Sequence, residues 1–436
     1  MEKVVTKNNE YLPRILDGVL KNALSEIGAV LIVGPKWCGK TTTAEKCARS
    51  VIKLQDPDMA AAYEAAIDTK PSLLLRGDNP RLIDEWQVYP VLWDAVRTSV
   101  DERGEDGLYI LTGSTVVDET KIMHSGTGRI ATITMLPMSL YESKESNGSI
   151  SLKKLFDDQS YCIDGLTSQL TIEKLVYASC RGGWPTSLRK EGSKALSVAK
   201  SYLRNICNRD CSSVDKVERS PFRAKAVLRS YARNVSTLAS DRTLLRDLAF
   251  SDAGMDVKTL ASYLRAFEKL YVISELEAWN PSIRSSCAVR SSHKRELIDP
   301  SLASAALNLS PEALLDDLNT FGFIFETLCV RDLRVYSSAL GGEISYYHDN
   351  KGLEADAVLH LDDGRYALIE FKLGGSQIDQ GAAHLLELRR LIQEHNSIEG
   401  NAKIKEPSFL MVLTGGAIAL TRPDGVKVVP IGCLRD

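Results

Sequence analysis

The stretch "VLIVGPKWCGKTTTA", residues 30–44, constrains the fold more than any other part of the chain. Its apolar, β-branched opening predicts a buried strand, and "TTTAEKCARSVIKL" at 41–54 predicts a helix. Between them, residues 34–41 carry the spacing G-x-x-x-x-G-K-T in the strand, turn, helix context that this spacing requires. Gly34 and Gly39 permit the turn, whose backbone N–H groups and helix N-terminus can surround phosphate oxygens. Lys40 adds a point charge for the outer phosphates, and Thr41 a hydroxyl for Mg²⁺. The candidate nucleotide contacts are Gly34, Pro35, Lys36, Cys38, Gly39, Lys40, Thr41 and Thr42.

Strands and helices alternate after this loop, through "PRLIDEW", "VLWDAVRTSVDERG" and "GLYILTGST". That order predicts an α/β fold with a parallel sheet covered on both faces. "RLIDEWQ" ends its strand in Asp84 and Glu85. Alone, Asp-Glu at a strand end is an ordinary helix start. Following a phosphate loop, Asp84 is a candidate Mg²⁺ ligand and Glu85 a candidate for polarising a water. Thr112 or Ser114, closing "YILTGST", would sense the γ-phosphate or orient water, and Ser114 is preferred. Arg129, in "SGTGRI", is the candidate for stabilising developing phosphate charge, from its own or a neighbouring subunit, against the alternative of an ordinary surface arginine.

At 436 residues the chain is long for one core, and three domains are expected, over 1–150, 151–295 and 296–436. The net charge of −3 conceals residues 186–236, which hold twelve Lys or Arg against four Asp or Glu. Solvated helix faces carry such an excess as readily as phosphate-binding surfaces do. Nine scattered cysteines without C-x-x-C imply reduced thiols and a cytoplasmic location. Without an apolar run of about 20 residues, no membrane helix is expected.

The middle of the chain reads as helical. Within "RTLLRDLAFSDAGMDVKTLASYLRAFEKLYVISELEAW", a helix, a turn at Gly254, a second helix with apolar residues at Leu260, Leu264 and Phe267, and a strand follow in order. This is the order of a helix-turn-helix with a wing, and equally of a plain helical scaffold. Beyond it, Arg284, Arg290, Lys294 and Arg295 are candidates to track a phosphate backbone.

The last part reads as a helix over 321–340, strands at 343–349, 354–361 and 366–373, a helix at 380–395 and a late strand at 408–415. In "ALIEFKLGG", Glu370 and Lys372 fall on one face of their strand, and Phe371 on the other. Asp356 stands in the preceding hairpin arm, and Glu326 in an otherwise apolar helix. Cleaving a phosphodiester requires carboxylates for hard divalent ions, here Glu326, Asp356 and Glu370. It also requires a cation near the developing charge, here Lys372. Gln380 would align the nucleophile or lie idle. The plain alternative is a cross-strand pair of surface charges.

Two resemblances bear on these readings. "GPKWCGKTTTA", "LIDEWQ", "LTGST", "GRI" and "LPMSLYE", with "RGGWP", "SYLRNI", "SYARN", "KLYVI" and "DPSLA" further along, resemble AAA-type P-loop ATPases of bacteria and archaea that carry a C-terminal domain of unknown function. The pattern Asp356, Glu370-x-Lys372 with the leading Glu326 resembles the PD-(D/E)XK restriction-endonuclease-like fold, although Ala355 stands before the aspartate where that pattern has proline. Together they imply an ATPase core, a winged-helix middle and a nuclease-like α/β end. They also imply ATP and Mg²⁺ as cofactors, nucleic acid (DNA before RNA) as partner, and a homo-oligomer in which Arg129 or Arg233 reaches a neighbour's nucleotide. The same fold kept as an ATP-switched docking module without cleavage is the alternative.

Overall fold

The computed structural model describes residues 11–113, 125–249, 254–279, 292–398, 400 and 402–436. It divides into two compact units, Met1–Leu136 with Lys269–Tyr271, and Pro137–Glu268 with Val272–Asp436.

In the first unit, strands β1 (Ala29–Val33), β2 (Ser50–Lys53), β3 (Arg81–Asp84), β4 (Tyr109–Thr112) and β5 (Ile130–Thr134) form one parallel sheet in the order β2-β3-β4-β1-β5. Alternate residues supply opposite faces. Ala29, Leu31 and Val33 pack with Ile83, Leu111 and Trp93 on one side, and Val30 and Ile32 with Leu82, Ile110 and Met135 on the other. Burial on both faces explains why β1 reads as an unbroken apolar run.

Two strands depart from the sequence reading. The helix after the phosphate loop stops at Cys47, because Ala48 turns extended (φ −79°, ψ 144°) and Val51 and Ile52 pair with Leu82 and Ile83 as an edge strand. Sheet pairing thus overrides the expected continuation of the helix to residue 54. β5 also lay unread in "RIATITM", where Ile130 and Ala131 pair with Ala29 and Val30.

The second unit opens with a helical layer containing Ile172–Arg181, Gly192–Asn205, Pro221–Arg233 and Pro300–Leu307. Helices Asp241–Leu248 and Val257–Lys269 follow in the expected order. After them, Leu276 and Lys294 exchange two backbone hydrogen bonds of 2.9 Å. Two short segments, β6 (Ile150–Ser151) and β13 (Leu434–Arg435), pair in parallel. Between them in sequence lie β7 (Gly342–His348), β8 (Glu354–Leu361), β9 (Tyr366–Lys372), β10 (Phe409–Thr414), β11 (Leu420–Thr421) and β12 (Lys427–Pro430). These form a mixed sheet in the order β11-β12-β10-β9-β8-β7, covered by helices Leu318–Ser338 and Ile378–Ser397.

A buried ionic knot ties the helical layer to the long helix of this unit. Arg331 lies 3.0 Å from Asp299 and 2.6 Å from Asp332, and all three side chains are almost fully removed from solvent. Asp299 also accepts the Gly183 N–H and caps the helix Pro300–Leu307 through the Ser301 N–H. Asp332 accepts the Leu140 N–H. The strings "RGGWP", "DPSLA" and "LPMSLYE" therefore meet in one place. Gly183 is forced there, because a Cβ would stand 2.1 Å from the Met138 carbonyl oxygen.

Candidate functional site

The first cluster is built at the carboxyl ends of the parallel strands. Gly34 has φ +138°, and a Cβ on it would fall 2.2 Å from the Met135 carbonyl oxygen, so only glycine lets the loop leave β1 beside β5. Gly39, at φ +106°, opens the helix Lys40–Cys47. Lys40 is buried, and its ammonium donates to the carbonyls of Gly34 (3.0 Å) and Pro35 (2.8 Å), across the loop it would serve.

Sheet register brings the acidic residues to the loop. Asp84 of β3 pairs with Thr112 of β4, which pairs with Ile32 of β1. One oxygen of Asp84 therefore receives hydrogen bonds from Thr41 Oγ1 at 2.7 Å and Thr112 Oγ1 at 2.6 Å. A hydroxyl and a carboxylate at this spacing are the hard oxygen donors Mg²⁺ takes. Glu85 adopts the left-handed region (φ 57°, ψ 48°), its N–H donates to Thr112 Oγ1, and its carboxylate accepts from Gln87. Lys36 is partly exposed and Thr42 exposed on the loop and helix, while Cys38 is buried.

Sequence reasoning preferred Ser114, which lies outside the described residues; the hydroxyl placed at Asp84 is that of Thr112. Arg129 precedes β5 at the amino end of the sheet, opposite the phosphate loop, where it is paired with Asp101 at 2.7 Å. This placement removes the expectation that it serves the nucleotide of its own subunit. Arg14 was missed altogether. It is buried and donates to the carbonyls of Cys38 (2.8 Å) and Leu136 (2.7 Å), clamping the loop to the end of β5. No motif marks it, since its role lies in backbone carbonyls far away in sequence.

Comparison with known proteins follows the same division. Residues 27–144 match an AAA domain. The first unit thus carries an AAA-type P-loop domain. Residues 172–313 match a domain of unknown function, DUF8612, and residues 321–434 another, DUF4143. A search of curated proteins found no match. Among solved structures, the chain is similar to the Walker-type ATPase of Pyrococcus abyssi at 14% identity and TM-score 0.42, over 70% of this chain and 99% of that one. Drosophila ORC bound to DNA matches at 12% identity and TM-score 0.20, over 58% of this chain and 83% of that one. The AAA domain accounts for the loop, Asp84 and Thr112, while the DUF4143 region holds the second cluster.

In that second cluster, Glu326, Asp356, Glu370 and Lys372 converge from one helix and two strands. The β8–β9 ladder ends at Ala357 and Ile369, and one step beyond, the Asp356 carboxylate accepts the Phe371 N–H at 2.9 Å. Lys372 Nζ lies 2.6 Å from Glu370 and 3.7 Å from Asp356. The Glu370 contact is close in charge but not aligned as a hydrogen bond, so Glu370 Oε2 is buried without an aligned donor. Gln380 is exposed and makes no hydrogen bond to this cluster.

Lys294, expected at a phosphate backbone, is buried between Glu326 (2.9 Å) and Asp356 (3.2 Å), so these two expected metal ligands face an ammonium. Arg295 is likewise buried, against Glu275 and Asp241. Arg284 and Arg290 lie outside the described residues. Glu354, Glu370 and His384, moreover, offer donor atoms all within 4.8 Å of one another. An imidazole beside two carboxylates suits Mn²⁺ or Zn²⁺ better than Mg²⁺. The signal available was His384 on the helix that follows Glu370-x-Lys372, which is too weak to use alone.

Burial, with the Asp356 charge second, pushes the Glu370 carboxyl up to about 9. Burial, only partly offset by Lys294, pushes Glu326 up to about 8. For Asp356 burial also raises, but Lys294 and Lys372 outweigh it and hold the carboxyl below the ordinary range. A carboxyl with a raised folded pKa keeps its proton where the unfolded chain has lost it. Its stabilisation is complete below the unfolded value and is lost as pH rises through the folded one. In metal-free buffer, stability of the second unit should decline between roughly pH 4.5 and 9, by up to about 1.4 kcal/mol per pH unit per group. Glu370→Gln should flatten that slope in urea titrations, and a slope unchanged by the substitution would refute this reading.

Proposed function

We propose that this chain is an ATP-hydrolysing AAA protein whose nucleotide state governs a nucleic-acid-directed, PD-(D/E)XK-like C-terminal domain that cleaves phosphodiesters. One observation supports it above others: Glu326, Asp356, Glu370 and Lys372, spread over a helix and two strands, meet in one buried cluster at the end of a strand ladder. Concentrations of buried charge with strongly shifted titration are arranged at chemical sites more often than elsewhere.

In the ATPase domain, Lys40 binds the outer phosphates and the Thr41–Asp84 pair holds Mg²⁺. Thr112 fixes the rotamer of Asp84, and Glu85 draws a proton from the attacking water. Arg129, at the far edge of the sheet, serves a neighbouring subunit's nucleotide in a homo-oligomer, with Arg233 as the second candidate. In the C-terminal domain, Glu370 with Asp356 holds a divalent cation, and Lys372 steadies the charge that develops on the phosphate. A divalent ion bound there supplies charge neutralisation and a more acidic water. Helices Asp241–Leu248 and Val257–Lys269, with the paired segments after them, act as the winged-helix element that meets DNA.

A second reading is favoured by Lys294. Its ammonium already lies against Glu326 and Asp356, which makes the cluster a closed ion network and the domain an ATP-switched docking module. Labelled single-stranded, duplex and branched DNA, incubated with Mg²⁺ or Mn²⁺ with and without ATP, separates the two. Under the first reading the wild type cuts, Asp356→Ala does not, and Lys294→Ala changes the metal concentration required. Absence of cutting by the wild type, with ATP hydrolysis intact, would establish the second.

A further inference from the structure

The helical layer of the second unit forms a half-open groove of about 470 Å³ whose rim is cationic and whose floor is apolar. Lys200 and Arg204 stand one helical turn apart on Gly192–Asn205. Lys225, Arg229 and Arg233 do the same over two turns on Pro221–Arg233. Spacing of i, i+4 sets each group on one helix face, and like charges so placed weaken a helix. Arg233 is paired with Asp247. Lys200, Arg204, Lys225 and Arg229 are exposed, and none forms an ion pair with a described carboxylate. The arrangement thus concentrates repulsion around a hollow instead of dispersing it over a solvated surface.

A second, independent feature stands at the same rim. Phe222 is 64% exposed, more than any other large apolar side chain among the described residues. Leu228 and Leu248 are buried beneath the groove. A free aromatic ring beside a cationic groove is the combination that binds nucleotides, with the ring stacking a base and the cations holding phosphates. The volume lies in the range of small-ligand sites.

We infer that this groove is a nucleotide-binding site, separate from the phosphate loop, which stacks a base on Phe222 and holds phosphate with Lys200, Arg204, Lys225 and Arg229. Five of the twelve basic residues of 186–236, Lys200, Arg204, Lys225, Arg229 and Arg233, line it. The site does not depend on cleavage by the C-terminal domain, so failure of either reading leaves the other standing. The occupant is a nucleotide unit, either free or within a single strand.

The test uses the full chain with two probes. A fluorescent oligonucleotide without terminal phosphate is titrated by anisotropy at several salt concentrations, in the absence of added nucleotide. Labelled ADP is counted by equilibrium dialysis. The double variant Lys225→Glu, Arg229→Glu should weaken strand binding at least about tenfold and lower its salt slope. Phe222→Ala should weaken it about 5- to 100-fold with the slope unchanged. Two equivalents of ADP in the wild type and one in the double variant would assign a free nucleotide. One equivalent in both, with the strand effects present, would assign a strand. Retention of the first ADP equivalent and of the unfolding midpoint certifies the folded state of each variant. Strand binding indifferent to both substitutions, with one ADP equivalent throughout, overturns the proposal. So does loss on charge reversal with no effect of Phe222→Ala, since a polyanion surface needs no ring.

Discussion

Glu85→Gln is expected to lower ATP hydrolysis by roughly 10²- to 10⁴-fold while leaving nucleotide binding intact, the loss typical of removing a positioned proton acceptor. The geometry makes this a clean substitution. Glu85 sits immediately after Asp84 in a left-handed backbone conformation, which costs a residue with a Cβ roughly 1–2 kcal/mol. Glutamine keeps both the length and the hydrogen-bonding capacity toward Gln87, so the turn survives and only the base is lost. Glu85→Gly provides the counterpart, because glycine relaxes the backbone and also removes the carboxylate. If both variants hydrolyse poorly, and the glycine variant unfolds no earlier than wild type, the loss belongs to chemistry. A fall of less than tenfold in steady-state phosphate release would assign the water to another group.

Arg331→Ala is expected to destabilise the second unit by about 3–5 kcal/mol, the cost of leaving buried carboxylates without their cation. Asp299 and Asp332 have no route to solvent, and each also holds a backbone N–H from a distant segment, at Gly183 and Leu140. Loss of Arg331 should therefore loosen the packing of both segments together. Urea unfolding followed by tryptophan fluorescence would show it, since Trp184 is fully buried beside this knot and donates to Ser301. The exposed network of Arg390 with Glu387 and Glu394 gives the contrast, and Arg390→Ala should leave the midpoint unmoved. An Arg331→Ala midpoint equal to that of Arg390→Ala would contradict the account.

Much of the geometry of the candidate phosphate-binding site was legible because it is local. The phosphate loop lies on consecutive residues, and Asp84 follows an apolar run whose end marks the carboxyl end of its strand. The place of Thr112 depends on strand register, which pairs it directly with Asp84, while Ser114 lies outside the described residues. The C-terminal carboxylates were legible as residue types in a strand order. Lys294 was not, because only the backbone exchange with Leu276 carries it from a basic loop into the carboxylate cluster. β2 was hidden by its own sequence, where "VIKL" continues a helical pattern until Leu82 and Ile83 offer it a sheet edge. The family strings around Gly183, Asp299 and Leu140 carried no readable chemistry, and the structure gives them a packing role, one ionic knot holding three segments.

The pairing of β6 with β13 has a consequence for how the chain is made. Ile150 and Ser151 take as their partners Leu434 and Arg435, and Ser146 donates to the Leu434 carbonyl across 288 positions of sequence. The sheet of the first unit is complete once Thr134 has emerged from the ribosome, and the unit itself lacks only Lys269–Tyr271. The second unit stays open at this seam until translation reaches Arg435. At about 5–20 residues per second, its early helices wait many seconds for the segment that closes them, a period in which chaperone engagement of the unsealed edge is favoured.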